Sequence, residues 1–367
     1  MVSKKDFSIL NIIFLIINIL SIILLIMSYL SNYIKPTTSF WVAFCGLAYP
    51  YILIINVLFV IIWLFRKKRY AFFTLAVILF GFSSLHRLYK FKGTALPSDT
   101  TQTFSVMSYN VQAFGGFDYQ KKSQIEDHIR QKCPDIVCIQ EYWQKKSAKN
   151  KKDTLKYPYS VLYLPLVKDK NEYGMALYSI YPIVNQGHIE FSNSKGNFAH
   201  YVDVLLEEDT VRIYNIHLQS IHLGKKDYQF ANEILVNHFW QEPIKSNSKR
   251  ILRKVKNGMD KRISQTDTLI KHIQQSPHKV IVCGDFNDTP WSYTYRKFSQ
   301  HLNDSFVKSG KGFGNTMKIN KLFSFRIDYV FCDPLFESYA FAVDTLNASD
   351  HFPVSVHLKK NIKKLIL

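Results

Sequence analysis

The chain has 367 residues, 47% apolar and 15% aromatic, with 47 Lys+Arg against 28 Asp+Glu and a formal net charge of +19. That much apolar and aromatic material excludes disordered, collagen-like and low-complexity classes, which lack surface to bury. Five cysteines are too few, and odd in number, which excludes a disulfide scaffold.

The N-terminal part reads as a membrane anchor. Residues 1–92 hold one acid, Asp6, and ten Lys/Arg, so +9 of the charge lies there and +10 in the remainder. Ile9–Leu30 is 22 residues without a charge, and Phe40–Phe65 is 26. A hydrocarbon core of about 30 Å needs about 20 apolar residues, so both runs are long enough to span. Tyr70–Leu85 has 16 uncharged residues and reaches span length only with His86–Leu88. The expectation is three helices, about 9–30, 40–65 and 70–88. The first run is too long for a cleaved signal peptide and lacks a small-x-small site. Lys4, Lys5 and the Arg66–Lys67–Lys68–Arg69 loop put the N-terminus and that loop in the cytoplasm. Three spans then place everything after about residue 90 outside the cytoplasm, in the periplasm; two would keep it inside, a case favoured by Arg87, Lys90 and Lys92.

Gly93–Thr103 reads as a polar linker. From Phe104 to Lys360, short strands rich in Val, Ile, Tyr and Phe alternate with amphipathic helices, as in one α/β domain. The predicted strands are Phe104–Asn110, Ile136–Gln140, Gly174–Tyr178, His200–Leu206, Val211–Leu218, Val280–Cys283, Ile327–Cys332 and Val354–Leu358. The predicted helices are Lys121–Lys132, Lys226–Trp240 and Met259–Gln275. Lys245–Arg262 reads as a basic insertion, with eight Lys/Arg and one acid, Asp260. The chain carries no internal repeat.

Five polar clusters follow apolar strands. They are Ser108-Tyr109-Asn110, Gln140-Glu141, Asn215-Ile216-His217-Leu218-Gln219, Gly284-Asp285-Phe286-Asn287-Asp288-Thr289-Pro290 and Ser349-Asp350-His351-Phe352-Pro353. Arg326 and Asp328 open a strand of their own. Taken singly, each has a bland reading as a turn former, a cap, a solvated acid or a structural histidine. Polar groups at strand ends also converge on crevices of α/β sheets, a common place for binding sites.

The order of these clusters resembles the endonuclease/exonuclease/phosphatase superfamily, which includes DNase I-like and exonuclease III-like enzymes, inositol polyphosphate phosphatases and bacterial neutral sphingomyelinases. Ser-Tyr-Asn-Val, Gln-Glu, His-Leu-Gln, Gly-Asp-Phe-Asn, Arg-Ile-Asp-Tyr-Val-Phe and Ser-Asp-His-Phe-Pro-Val match in sequence and order. The resemblance covers about residues 103–360. With the anchor and Gly-Asp-Phe-Asn-Asp-Thr-Pro-Trp-Ser, it is similar to a membrane-anchored bacterial branch. It implies a four-layered, DNase I-like α/β sandwich behind the transmembrane helices.

The resemblance further implies a metal-dependent phosphoric ester hydrolase using Mg2+, with Mn2+ as the alternative. Mg2+ prefers hard oxygen ligands. Glu141 is the prime candidate, and Asn110 and Asp350 complete or adjoin the shell. Asp285 orients or deprotonates the attacking water, and Asn287 holds that water or a phosphate oxygen. His351 donates to the phosphate, with Asp328 raising its pKa. His217 stabilises developing charge or protonates the leaving oxygen.

Four other histidines (His222, His238, His272, His301) lack such context and read as surface or core residues. No Cys-x-x-Cys pair exists, which disfavours zinc, and Cys133, Cys138, Cys283 and Cys332 read as small hydrophobes in or beside strands. The expected partners are a phosphodiester substrate and the bilayer, with no protein partner. The leading substrate is nucleic acid, from the basic charge. The alternatives are a phospholipid or sphingolipid headgroup, suggested by the anchor, and a catalytically inactive membrane scaffold. Lys245–Arg262 is a candidate grip for nucleic acid or an anionic bilayer.

Overall fold

The computed structural model describes residues 9–100, 102–148, 155–192, 196–221, 227, 242–318 and 324–361. The chain packs as two compact units, Met1–Leu88 with Thr289–Arg296, and Tyr89–Asp288 with Lys297–Leu367.

The helical unit contains α1 (Ile9–Leu30), α2 (Phe40–Leu47), α3 (Tyr49–Arg66), α4 (Lys68–Phe80) and α5 (Phe82–Leu88). By length and composition, α1 and α3 can cross a membrane, and α4 with α5, bent by 67°, would make a third span. The expected single helix over 40–65 divides at Ala48. Pro50, which has no N–H to donate, sits in the first turn of α3, where none is needed. The expected third helix divides at Gly81 in the same way.

This unit is built inside out. Ile9, Phe65, Phe73 and Phe80 are exposed, whereas Asn18, Ser21, Asn56 and Thr74 are buried. Asn18 Oδ1 accepts from Trp63 Nε1 (2.9 Å) and Thr74 Oγ1 (3.0 Å), while Asn56 Nδ2 donates to the Ser21 carbonyl (3.1 Å). Such bonds tie α1 to α3 and α4 where a lipid surround would supply no hydrophobic drive. The eight residues Thr289–Arg296 belong to this unit. Trp291 is buried there with its ring centroid 4.4 Å from that of Tyr49 and its Nε1 donating to the Ser84 carbonyl (3.3 Å). Ser31 Oγ donates to the Trp291 carbonyl.

The second unit is a sandwich of two six-stranded sheets. The strands are β1 (Thr103–Asn110), β2 (Ile136–Lys145), β3 (Tyr159–Lys168), β4 (Asn171–Ser179), β5 (Ile183–Ile189), β6 (Phe198–Leu206), β7 (Asp209–His217), β8 (Lys279–Asp285), β9 (Asn303–Asp304), β10 (Met317–Lys318), β11 (Ser324–Phe325), β12 (Asp328–Cys332), β13 (Phe336–Val343) and β14 (Val354–Lys360). One sheet runs β13-β14-β1-β2-β4-β3 and the other β5-β6-β7-β8-β12-β9. Val106, Cys138, Leu177 and Val356 of the first sheet pack on Val202, Ile213, Cys283 and Val330 of the second.

Helices cover the outer faces. Helix α6 (Tyr119–Lys132) starts where the Asp118 carboxylate accepts from the amides of Gln120 (2.8 Å) and Lys121 (3.3 Å). Its Ile125 and Ile129, at i,i+4, pack on Met107, Val137 and Ile139. Helix α7 (Glu242–Gln274) buries Val255, Met259, Ile263, Ile270 and Ile273 on one stripe. The result is the expected four-layered α/β sandwich.

Three expectations need correction. Lys245–Arg262 is no insertion. It forms the first part of α7, continuous with the expected helix over 259–275, because Val255, Met259 and Ile263 repeat at i,i+4 among the charges. Cys138, Cys283 and Cys332 are buried, but Cys133 is exposed at the C-cap of α6 in left-handed backbone (φ 48). The stretch 93–103 is only partly a free linker, since Thr94 bonds the Ser309 carbonyl and accepts from the Ala340 amide. Most of the expected helix Lys226–Trp240, with His222 and His238, lies outside the described residues. The strands that sequence reading passed over include β3, β5, β9 and β13. All four are sheet edges. Edge strands bury only part of their surface, so apolar and polar residues need not alternate along them, as in β3 (YSVLYLPLVK).

Candidate active site

The two-residue period of the strands brings the polar residues together. In β1, Phe104 and Val106 face the opposing sheet, while Met107 and Tyr109 face α6. Asn110 therefore takes the last inward position. The same parity holds in β7 (Val211, Ile213, then His217), in β8 (Ile281, Cys283, then Asp285) and in β12 (Cys332 and Val330 inward, with Asp328 at the strand start). His217 pairs with Asp285 across parallel β7 and β8, and Asp285 pairs with Asp328 across antiparallel β8 and β12. One end of the sandwich thus carries one polar residue per strand.

A polar layer lies one step deeper. Gln140 Nε2 donates to Ser108 Oγ (3.1 Å) and to Asn215 Oδ1 (2.7 Å), and Asn215 Nδ2 donates to the carbonyls of Ile139 (3.1 Å) and Ala176 (3.0 Å). These bonds join the sheets beneath the site.

Backbone strain shapes the rim. Glu141 has φ 52 at a register shift between β2 and β4, so its side chain leaves the pleat with 37% exposure. Gly284 has φ 146, and a Cβ there would lie 2.0 Å from the Ile216 carbonyl oxygen. Only glycine lets β8 run this close to β7 before Asp285.

Asn110 cross-links two carboxylates. Its Nδ2 lies 3.1 Å from Glu141 Oε1 and 3.0 Å from Asp285 Oδ2, while its Oδ1 accepts from the Gln112 amide (3.0 Å). His217 Nε2 lies 3.6 Å from Glu141 Oε1 and 3.7 Å from Asp285 Oδ2. Asn287 donates from its amide to Asp285 Oδ1 (2.8 Å) and from Nδ2 to Asp285 Oδ2 (3.1 Å). His351 Nδ1 lies 2.8 Å from Asp328 Oδ2, and its Nε2 lies 3.8 Å from Asp285 Oδ2. Asp350 joins through Gln112, whose Nε2 donates to its Oδ2 (2.8 Å). All eight residues singled out in the sequence are thus linked by one chain of contacts. Gln112 escaped sequence reading, although it follows Asn110 by two positions, the spacing of an Asx-type turn. Arg326 turns away, forming a buried ion pair with Asp304 (2.7 Å).

Burial governs the electrostatics. Burial pushes the Asp285 carboxyl up from 3.8 to about 6, with the Asp328 charge adding, while His351, His217 and the Asn287 amide pull it down. Burial alone would lower His351. The Asp328 and Asp285 charges and the Asp328 hydrogen bond outweigh it and raise the imidazole to about 10. At neutral pH the site thus holds an imidazolium and an ionised Asp285.

Asp285, Asp328 and His351 offer atoms within 4.8 Å of one another, the spacing of a metal cluster. Within the trio, His351 Nδ1 and Asp328 Oδ2 are already engaged with each other at 2.8 Å. The half-exposed Glu141 carboxylate, which shares Asn110 and His217 as neighbours with Asp285, is the hard-oxygen donor best fitted to a divalent ion.

A family model described as the endonuclease/exonuclease/phosphatase family matches residues 107–351. A domain of unknown function, DUF8431, matches residues 11–88. The structure of an endonuclease/exonuclease/phosphatase from Beutenbergia cavernae DSM 12333 is similar, with a TM-score of 0.51 and 18% identity, over 71% of this chain and 72% of that one. A family protein from Leptotrichia buccalis C-1013-b matches with a TM-score of 0.50 and 18% identity, over 69% of this chain and 98% of that one. An endonuclease/exonuclease/phosphatase from Bacteroides vulgatus matches with a TM-score of 0.50 and 16% identity, over 70% and 99% of the two chains. These likenesses establish the fold. No curated protein matches the chain.

Proposed function

The chain belongs to the endonuclease/exonuclease/phosphatase family, whose members hydrolyse phosphoesters, and from that premise we propose that it is a membrane-anchored, Mg2+-dependent phosphodiesterase, most nuclease-like in action. One observation carries the reading: Asn110 bridges Glu141 and Asp285, with His217 and His351 both within 4 Å of the Asp285 carboxylate.

A phosphodiester repels nucleophiles through its own charge. Mg2+ held by Glu141, with Asp350 and Asn110 adjoining, would neutralise that charge and polarise the phosphoryl group. The chain's own groups do the rest. Ionised Asp285 takes a proton from the attacking water, which Asn287 helps to orient. The His351 imidazolium, fixed by Asp328, donates to a phosphate oxygen as charge develops. His217 supplies a proton or hydrogen bond to the leaving oxygen. The water oxygen bonds to phosphorus, the ester P–O bond breaks, and the leaving alkoxide takes a proton.

For topology, the Lys/Arg bias around α1 and the Arg66–Arg69 segment supports a cytoplasmic N-terminus. With α4 and α5 as one bent span, the catalytic unit would then face the periplasm. A compartment reporter fused to the C-terminus tests this.

The functional test is turnover of bis-p-nitrophenyl phosphate by the detergent-solubilised full chain with Mg2+, in parallel with DNA, RNA, sphingomyelin and inositol phosphates. EDTA-sensitive hydrolysis is expected, with DNA or RNA preferred. Silence across the panel would overturn the reading; preference for a lipid headgroup would replace the substrate class alone.

A further inference from the structure

The loops carrying His217 and Asp285 are held by more than their own strands. Arg262 of α7 is a charged side chain with only 1% exposure. Its Nη1 donates to the Gln219 carbonyl (2.8 Å), and its Nε lies 3.3 Å from Asp288 Oδ2. One guanidinium therefore touches the segment two residues past His217 and the segment three residues past Asp285. Gln265, on the same face of α7 and also buried, accepts from the Gln219 amide (2.8 Å). The two loops also bond each other. The Leu218 amide donates to the Asp285 carbonyl (2.9 Å), and Asn287 Nδ2 donates to the Leu218 carbonyl (3.0 Å). On the far side, Tyr329 Oη donates to the Asp288 carbonyl (2.8 Å).

We infer that Arg262 is a positioning residue: its buried guanidinium clamps the Leu218–Gln219 and Asn287–Asp288 segments at a fixed spacing, and so sets His217 and Asn287 against the Asp285 carboxylate. Burying a guanidinium is costly unless its donors are used, and the planar fork meets a carbonyl and a carboxylate on different loops at once. Methionine would fill the space without bridging. Lysine would keep a cation beside Asp288 without the fork. A displacement of about 1 Å at a catalytic group can cost about a hundredfold in rate.

This inference rests on the hydrolase reading, so the test has one arm that does not need turnover. In the full chain with Mg2+, Arg262→Met is expected to lower kcat on bis-p-nitrophenyl phosphate about 10- to 100-fold, with KM within about threefold. Arg262→Lys falls between the two and serves alone if the methionine variant does not fold. Independently of activity, the amides of Leu218 and Asn287 should exchange hydrogen about tenfold faster in the variant. Wild-type kcat in a folded variant would overturn the clamp, as would unchanged exchange at both amides. An inactive unmodified chain with faster exchange in the variant would keep the clamp and defeat the hydrolase reading.

Discussion

His351 Nδ1 and Asp328 Oδ2 lie 2.8 Å apart, both residues buried at the end of the inter-sheet core. The pair keeps a proton on the imidazole far above its ordinary range. The folded chain binds that proton up to about pH 10, whereas the unfolded chain releases it near 6.5. The stability it contributes is full below 6.5 and is lost as the pH rises to about 10.

Asp285 acts in the same sense over a lower window, because its proton too is bound more tightly in the folded chain. Its folded pKa is raised from 3.8 to about 6, so the folded state disfavours its charge. Its contribution to stability falls between those values and stays level above. For the reaction, kcat is expected to rise through an acid limb near pH 6 and fall through an alkaline limb near pH 10. Asp328→Asn removes the charge that holds the His351 proton, so the alkaline limb should move down by about one unit or more. A kcat–pH profile whose alkaline limb ignores that substitution would sink the assignment.

Glu141 is far more exposed than Asp285 or Asp328, and its removal should act through the cation. Glu141→Gln keeps the hydrogen-bonding shape but discards the charge. The Mg2+ concentration for half-maximal rate is expected to rise about tenfold or more, with kcat partly recovered at high Mg2+. Titration of activity against Mg2+ checks this; an unchanged half-saturation point would place the ion elsewhere.

Gly284→Ala is expected to destabilise the sandwich by about 2 kcal/mol or more. Its backbone sits at φ 146, and the added Cβ would meet the Ile216 carbonyl at 2.0 Å, an atom that cannot rotate away. Denaturant unfolding of the full chain in detergent reads this. A midpoint equal to that of the unmodified chain would show that β7 and β8 separate freely.

Trp291→Ala should loosen the helical unit. The indole is buried against Tyr49 and donates to the Ser84 carbonyl. Truncating a buried tryptophan to alanine costs about 3–5 kcal/mol. Thermal unfolding monitored by tyrosine and tryptophan fluorescence should show a lower midpoint, and Trp291→Phe should recover part of it by restoring the ring contact. A midpoint unmoved by the alanine change would contradict the packing.

The sequence by itself determined the local layers of this protein: the apolar runs of the N-terminal helices, the central strands, and the order of the polar clusters from Asn110 to His351. Those features are written in composition and period, because a buried strand or a lipid-facing helix must be apolar wherever it ends up. Tertiary structure decided what period and composition do not encode. Edge strands β3, β5 and β13 each pair with one neighbour in their sheet, a pairing that no local pattern specifies. Arg262 looks like one more base of a charged stretch, yet α7 turns it inward to two loops more than forty positions back and twenty-six ahead. Its role depends on which face of a helix meets which strand ends, and that is a property of packing among distant segments rather than of any one of them.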